Sequence, residues 1–208
     1  MNRPAANAAS AGLWLEGWYR HAHRLDSPNF GPRPVDTPVD LIVIHAISLP
    51  PGRYGTGCVQ RFFTQQLDWQ AHPYFGTIRE LRVSAHFFIE RTGALWQFVS
   101  CSDRAWHAGT SRYRGRDNCN DDSIGIELEG QDGQAFEAEQ YETLGSLCSA
   151  LMQSYPIEHF AGHEHIAPGR KTDPGPGFCW TDLQKSLGLP DPYFPSTQAP
   201  EKPEEASP

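Results

Sequence analysis

The feature that most constrains this chain is a short apolar run, Leu-Ile-Val-Ile at residues 41–44, followed at once by His45. A continuous, mostly β-branched run of this length is typical of a strand that is buried on both faces in the middle of a sheet. His45 would then lie at the carboxyl end of that strand. The run therefore predicts a covered sheet with a titratable side chain near its edge.

Three further segments have readable periodicity. Residues 84–99 hold two apolar runs around an Arg-Thr-Gly turn, which predicts a β-hairpin. Residues 123–129 alternate apolar positions with Gly125, Glu127 and Glu129, which predicts a strand with both carboxylates on one face. Residues 138–155 predict an amphipathic helix that packs on the sheet, with apolar positions at Tyr141, Leu144, Leu147, Cys148, Leu151 and Met152. We expect an α/β (α+β) fold, a central mixed β-sheet flanked by helices.

The domain organisation follows from length and from proline placement. A chain of 208 residues fits one domain, which we place at residues 13–190. Residues 1–12 are expected to be a flexible extension, and residues 191–208, with five prolines, a disordered tail. Residues 26–38 hold four prolines, so we expect an irregular loop there.

Composition excludes several classes of protein. A formal charge of −8 and a pI near 5.5 argue against nucleic acid and anionic membranes as partners. No apolar stretch is long enough to cross a bilayer, and the N-terminus does not resemble a signal peptide. The five cysteines are scattered without a CxxC pair, which favours reduced thiols. We expect a cytoplasmic protein, and we assume a monomer.

Candidate metal ligands occur in three places: His45, Glu127 and the proline-rich stretch at residues 161–176. That stretch contains His163, Glu164, His165 and Asp173. Catalytic zinc is usually held by three protein side chains, so that water can occupy the fourth position. The pattern predicts a zinc hydrolase, but spacing alone does not choose between His163 and His165.

Six collinear blocks extend this reading across roughly residues 15–187: VIHAISLPPG, AHPYF, LRVSAHF, RAWHAGTSRYRGR, CNDDSIGIELEG and GHEHIAPGRKTDPGP. They resemble the type 2 N-acetylmuramoyl-L-alanine amidases, which are related to peptidoglycan recognition proteins. Long strings such as RKTDPGP are far more specific than a lone histidine. The resemblance implies the peptidoglycan-recognition/type 2 amidase fold and Zn²⁺ as the cofactor.

The resemblance also implies a role for individual residues. His45, His163 and Asp173 would bind zinc, and Glu127 would be the catalytic carboxylate that moves protons between the attacking water and the leaving nitrogen. Lys171 would help to stabilise the oxyanion. The alternatives are that Lys171 and Asp173 form an ion pair that only holds their loop, and that Glu127 or Glu129 is simply solvated.

Substrate contacts are expected from Arg82, Trp106, His107 and Tyr74, because aromatic faces stack on sugars and guanidinium groups bind carboxylates. Core packing is an alternative for each of them, and for His86. Two positions depart from the family pattern. Ala46 stands where relatives have Asn, and Asn118 stands where a basic residue is expected.

The function implied by the resemblance is zinc-dependent hydrolysis of the lactyl–L-alanine amide bond of 1,6-anhydro-N-acetylmuramyl-peptides during cytoplasmic cell-wall recycling. A small muropeptide would be the substrate. The alternatives are a general peptidoglycan amidase, a muropeptide-binding module without activity, and a protein in which zinc only holds the fold together. Structural zinc sites usually have four protein ligands, which disfavours the last of these.

Overall fold

The computed structural model describes residues 12–195. Within that range the strands are β1 Trp14–Leu15, β2 Trp18–Tyr19, β3 His23–Arg24, β4 Phe30–Pro32, β5 Leu41–Ile47, β6 Phe87–Ile89, β7 Leu95–Gln97, β8 Asp103–Ala105, β9 Arg112–Tyr113, β10 Arg116–Asp117, β11 Ser123–Glu129 and β12 His159–Gly162. The helices are α1 Cys58–Phe63, α2 Pro73–Thr77, α3 Ala138–Ser154, α4 His163–Ile166 and α5 Trp180–Leu187.

A six-stranded sheet in the order β12-β5-β11-β6-β7-β3 organises the molecule. β12, β5, β11 and β6 run parallel to one another, and β7 pairs antiparallel with β6. The predicted mixed sheet is therefore confirmed, and so is the hairpin. Its turn contains Gly93 at φ 81°, where glycine adopts a left-handed backbone without the strain that a Cβ would add.

The longest helix, α3, covers one face of this sheet as its periodicity predicts. Its residues Leu144, Leu147 and Leu151 are fully buried against Ile126 of β11 and the other apolar side chains on that face. Glu137 and Gln140 form a capping box at the start of the helix. The Gln140 amide also donates to the backbone carbonyls of Ile89 and Glu129, which ties the helix to the sheet.

A second apolar cluster lies under α1 and α2. It contains the fully or nearly buried rings of Phe62, Phe63, Phe75, Phe88 and Phe98.

In the described residues, no helix is both long and apolar enough to span a membrane.

Some expectations need correction. Residues 26–38 are not irregular throughout, because β4 forms there and pairs with β8. β5 continues past His45 to Ile47. Every residue of β11 is buried, so neither of its carboxylates lies on a solvated face.

The disordered tail was predicted to begin at residue 191, but residues 191–194 are part of the folded structure. Asp191–Tyr193 form a 3-10 turn, and the ring of Phe194 stacks on Phe160 with centroids 5.0 Å apart. The rest of the tail, residues 196–208, lies outside the described residues, as does nearly all of the expected N-terminal extension.

Candidate active site

Three adjacent parallel strands bring the candidate ligands to one edge of the sheet. In the register of β5 and β11, His45 lies opposite Glu127. His163 follows Gly162, the last residue of β12, which pairs with β5 on its other side. The carboxyl ends of parallel strands are a common location for binding sites.

His45, His163 and Asp173 converge at this edge. The Nδ1 atoms of the two histidines are 2.9 Å apart, and each is 3.2 Å from Asp173 Oδ2. Ligand atoms held at 2.0–2.2 Å around a tetrahedral zinc ion would be about 3.3–3.6 Å from one another. The three separations in the structure are slightly shorter than this range, so a small outward shift of the side chains would let two imidazole nitrogens and one carboxylate oxygen hold zinc and leave a fourth position for water.

The structure brings His163, and not His165, into this group. The ring of His165 turns back along the chain, where its Nδ1 accepts the backbone N–H of Gly162 at 2.9 Å. The backbone N–H of Glu164 donates to the carbonyl of Asp173 at 2.9 Å, which joins the short helix α4 to the loop that carries Asp173.

Two carboxylates two residues apart on β11 have different surroundings. Glu129 accepts the backbone N–H groups of Gly55 at 2.6 Å and Arg91 at 3.2 Å. Glu127 is 9% exposed, and its Oε2 atom is buried without a hydrogen-bond partner among the described residues. Glu129 therefore holds two loops, while Glu127 keeps a free acceptor in the site.

Electrostatics at the site favour a neutral His45 and an ionised Asp173. Burial lowers the pKa of His45 to about 4, and the adjacent His163 contributes to that shift. Burial acts to raise the pKa of Asp173, but its contacts with His163 and His45 outweigh this effect and hold it below its usual range. These are the protonation states that metal binding requires.

The pKa of Glu127 moves in the opposite direction. Burial raises it well above its usual range, the nearby Asp173 raises it further, and Lys171 opposes the shift. A raised pKa makes this carboxylate a better proton acceptor near neutral pH.

A cavity of about 360 Å³ opens onto these groups. Its size is in the range of small-molecule binding sites. The Lys171 side chain lines it, and within the described residues Lys171 forms no ion pair with Asp173, whose carboxylate lies 3.2 Å from each of the two histidines instead. The other polar or aromatic lining residues include Tyr74, Ser84, His107, Glu127, Gln131, Asp132, His163 and Asp173.

The four expected substrate contacts are placed differently from one another. Tyr74 is 37% exposed and lines the cavity. In the described part of the chain, Arg82 and Trp106 are not among its lining residues, and Arg82 donates to backbone carbonyls of Arg79 and Leu81 in its own loop. His107 reaches the cavity but is only 8% exposed.

His107 has both ring nitrogens engaged. Its Nδ1 lies 2.9 Å from His45 Nε2, and its Nε2 lies 3.1 Å from Ser123 Oγ. Burial, followed by the neighbouring histidines His45 and His86, holds the pKa of His107 well below its usual range. Ser123 is a residue that was not predicted from the sequence, although the alternation of β11 places it on the same face as Glu127.

The two positions that were expected to depart from the family pattern are both accessible. Ala46 is half-buried and lines the cavity. Asn118 is exposed, with φ at 57°. Asn tolerates this left-handed conformation better than most residues, which gives a backbone reason for Asn at this position.

Comparison with known proteins agrees with the geometry. The family model described as N-acetylmuramoyl-L-alanine amidase matches residues 35–176. The chain is 50% identical over 167 residues to the 1,6-anhydro-N-acetylmuramyl-L-alanine amidase AmpD of Citrobacter freundii, covering 79% of this chain and 89% of that protein.

Solved structures of amidases are also similar to this chain. A crystal structure of a selenomethionine AmpD derivative superimposes with a TM-score of 0.82 at 48% identity, covering 84% of this chain and 99% of that one. The Escherichia coli amidase AmiD, in complex with anhydro-N-acetylmuramic acid-L-Ala-D-γ-Glu-L-Lys, gives a TM-score of 0.53 at 28% identity, covering 84% of this chain and 65% of that one. With its fold, its His-His-Asp group and these relatives, the chain belongs to the N-acetylmuramoyl-L-alanine amidase family.

Proposed function

We propose that this protein is a zinc amidase that cuts the bond between the lactyl group of 1,6-anhydro-N-acetylmuramic acid and the L-alanine of an attached peptide. The observation that carries the proposal is the free Glu127 carboxylate in the same cavity as His163 and Asp173, with His45 completing the metal group. A metal group beside an unpartnered carboxylate supplies both a Lewis acid and a general base, which together suit hydrolysis of an amide.

The relatives support the choice of substrate. AmpD of Citrobacter freundii is named for the 1,6-anhydro substrate and covers most of this chain at 50% identity. The AmiD structure holds an anhydro-muropeptide. The 1,6-anhydro sugar is therefore the first substrate to test here.

His45, His163 and Asp173 would hold the zinc ion. When bound, zinc supplies a Lewis acid that polarises the amide carbonyl and lowers the pKa of water. Glu127 takes a proton from the attacking water and then delivers one to the leaving L-alanine nitrogen, a role that typically contributes 10²–10⁴-fold to the rate. Lys171 is the cation at the cavity wall that stabilises the negative charge on the carbonyl oxygen.

Tyr74 is the best placed of the four expected substrate contacts, because its ring is half-exposed at the cavity wall. We propose that it stacks on the sugar. Arg82 and Trp106 would contact the substrate only if the substrate extended beyond the cavity.

We further propose that the protein acts in the cytoplasm, in the recycling of cell-wall fragments, as a monomer. All five cysteines are free, and three of them are buried, which suits a reducing compartment.

The test is cleavage of a purified 1,6-anhydro-N-acetylmuramyl-tripeptide and of its non-anhydro counterpart by the full-length protein, with free peptide measured by mass spectrometry. Each substrate is incubated with zinc-loaded protein, with chelated protein and with the Glu127→Gln variant. We expect release from the anhydro substrate that needs both zinc and Glu127. Equal cleavage of both substrates would indicate a general wall amidase instead, and binding of the muropeptide without cleavage would indicate a recognition module.

A further inference from the structure

A chain of buried hydrogen bonds leads away from the candidate metal group, behind His45. His45 faces the group with Nδ1, and its other ring nitrogen, Nε2, lies 2.9 Å from His107 Nδ1. His107 Nε2 lies 3.1 Å from Ser123 Oγ, and the Ser123 hydroxyl donates to the carbonyl of Cys119. None of these side chains is more than 8% exposed, so bulk water does not compete for the bonds.

The last acceptor determines the direction of every bond in this chain. A backbone carbonyl can only accept, so the one hydroxyl hydrogen of Ser123 is committed to Cys119. Ser123 Oγ must then accept from His107 Nε2, which leaves His107 Nδ1 without hydrogen. His107 Nδ1 must accept from His45 Nε2, and the lone pair of His45 Nδ1 is left facing the metal group.

We propose that His107 and Ser123 are positioning residues that set the tautomer and ring orientation of His45, so that its Nδ1 is always ready to bind the metal. The proposal deepens the proposed function, since it rests on His45 being a metal ligand. It assigns to His107 a role other than the substrate contact expected from the sequence. Metal-bound histidines commonly donate their second ring N–H in this way.

The surrounding backbone supports a fixed position for the His107 ring. Asn120 Oδ1 accepts the N–H groups of His107 at 3.0 Å and Ala108 at 2.8 Å. The ring packs directly over Gly125 of β11, where a Cβ would come within 2.4 Å of the ring. Gly125 is therefore required for its size, because any side chain would displace His107.

Ala108, the residue after His107, orients the second histidine of the metal group, His163. His163 Nε2 lies 3.1 Å from the carbonyl of Ala108, which also accepts from Arg170 at 2.7 Å. A hydrogen on His163 Nε2 leaves its Nδ1 free as well. Residues 107 and 108 thus orient both histidines, one through a side chain and the other through a carbonyl.

The first test reads the tautomers directly, in the metal-free wild-type protein, by long-range ¹H–¹⁵N correlation NMR of the histidine rings. We expect hydrogen on Nε2 of His45 and of His107, with Nδ1 unprotonated in both. Hydrogen on Nδ1 of His45 would overturn the proposal.

The second test measures zinc affinity by competition with a chelator. We expect His107→Leu to weaken zinc binding about 10–100-fold, the usual effect of losing a partner of a metal ligand. His107→Asn, which can keep an acceptor near the Nδ1 position, should recover part of the loss. Ser123→Ala should weaken binding less than His107→Leu, and its His45 ring should show a mixture of tautomers.

The matched control is Ser27→Ala. Ser27 is also buried and donates its hydroxyl to a backbone carbonyl, that of Phe63 at 2.6 Å, and its hydrogen-bond partners in the described residues, Phe63, Asn29 and Phe98, are not members of the metal group. Its zinc affinity should be unchanged. If Ser123→Ala and His107→Leu both fold and bind zinc as tightly as Ser27→Ala, the proposal is wrong. A protein that passes both tests but fails to cleave muropeptides would contradict the proposed function and not this inference.

Discussion

The two faces of the central strands β5 and β11 are both buried, but they differ in what burial achieves. One face presents apolar side chains such as Ile44 and Ile126 to helix α3, at 0% exposure. The other carries His45, Ser123 and Glu127, none more than 9% exposed. On the first face burial removes apolar surface from water, which stabilises the fold. On the second, each buried polar group needs a partner, and among these three residues the buried oxygen without one belongs to Glu127, the proposed catalytic carboxylate.

The largest expected effect is on the polar face. Glu127→Gln keeps the volume of the side chain but removes the proton acceptor, so kcat should fall about 10²–10⁴-fold. The free energy of unfolding should stay the same or rise, because a buried ionisable group without a partner has been removed. Steady-state kinetics and urea denaturation measure the two quantities. A kcat within tenfold of wild type would remove Glu127 from the mechanism.

The opposite pattern is expected on the apolar face. Leu151→Ala in α3 should lower the free energy of unfolding by about 2–5 kcal/mol, because it leaves a cavity in the core. The kcat per folded molecule should not change. Met152→Ala, at a half-buried neighbouring position, is the control and should cost less. If Leu151→Ala reduced kcat without loss of stability, the division of labour between the faces would not hold.

Stability of the polar face should depend on pH in the metal-free protein. The pKa of His45 is lowered from 6.5 to about 4, so the unfolded chain takes up a proton that the folded protein resists. The free energy of unfolding is therefore greatest above pH 6.5 and falls as the pH drops toward 4. The shift at His45 accounts for about 3 kcal/mol of that fall. His86 and His107 shift in the same direction, also mainly through burial.

Glu127 opposes this trend, because its raised pKa favours the folded state as the pH falls. The measurement is therefore made on Glu127→Gln protein, by urea denaturation at several pH values. Adding His45→Gln should reduce the slope between pH 6.5 and 4. Adding Leu151→Ala should lower the free energy of unfolding by the same amount at every pH. A loss that depended on pH would contradict the difference between the apolar and the polar face.

The smallest expected effect is at the second carboxylate of β11. Glu129→Gln loses the charge that the N–H groups of Gly55 and Arg91 contact, so stability should fall by about 1–2 kcal/mol. The kcat should stay within about tenfold of wild type, as measured beside Glu127→Gln. Equal loss of kcat in both variants would show that the two carboxylates do not differ in function.

Much of the fold could be predicted because periodicity is a local property. The apolar run of β5, the alternation in β11 and the stripe on α3 each indicate which faces of an element are buried, and Gly93 marks a tight turn. The same patterns placed His45 near the end of a strand and Glu127 opposite the apolar face. These features depend only on neighbours in the chain.

Other features depend on partners far away in the chain. Proline-rich residues 26–38 still contribute β4, because β8 supplies a pairing partner more than 70 residues later. Phe194 belongs to the folded part because Phe160 offers a ring on which it stacks. Neither partner can be read from the local pattern.

The candidate site divides in the same way. The sequence by itself determined which side chains were available for the chemistry, His45, Glu127, His163 and Asp173 among them, since ligand type and strand position are written in the local residues. The family resemblance already selected His163 over His165, which spacing alone could not do, and the structure agrees with that choice. Only the tertiary structure decided that Glu129 holds two loops while Glu127 keeps a buried oxygen without a partner, and that His107 lies behind His45. The reason is physical: the role of a buried polar group is set by the partner that satisfies it, and those partners come from segments that only folding brings together.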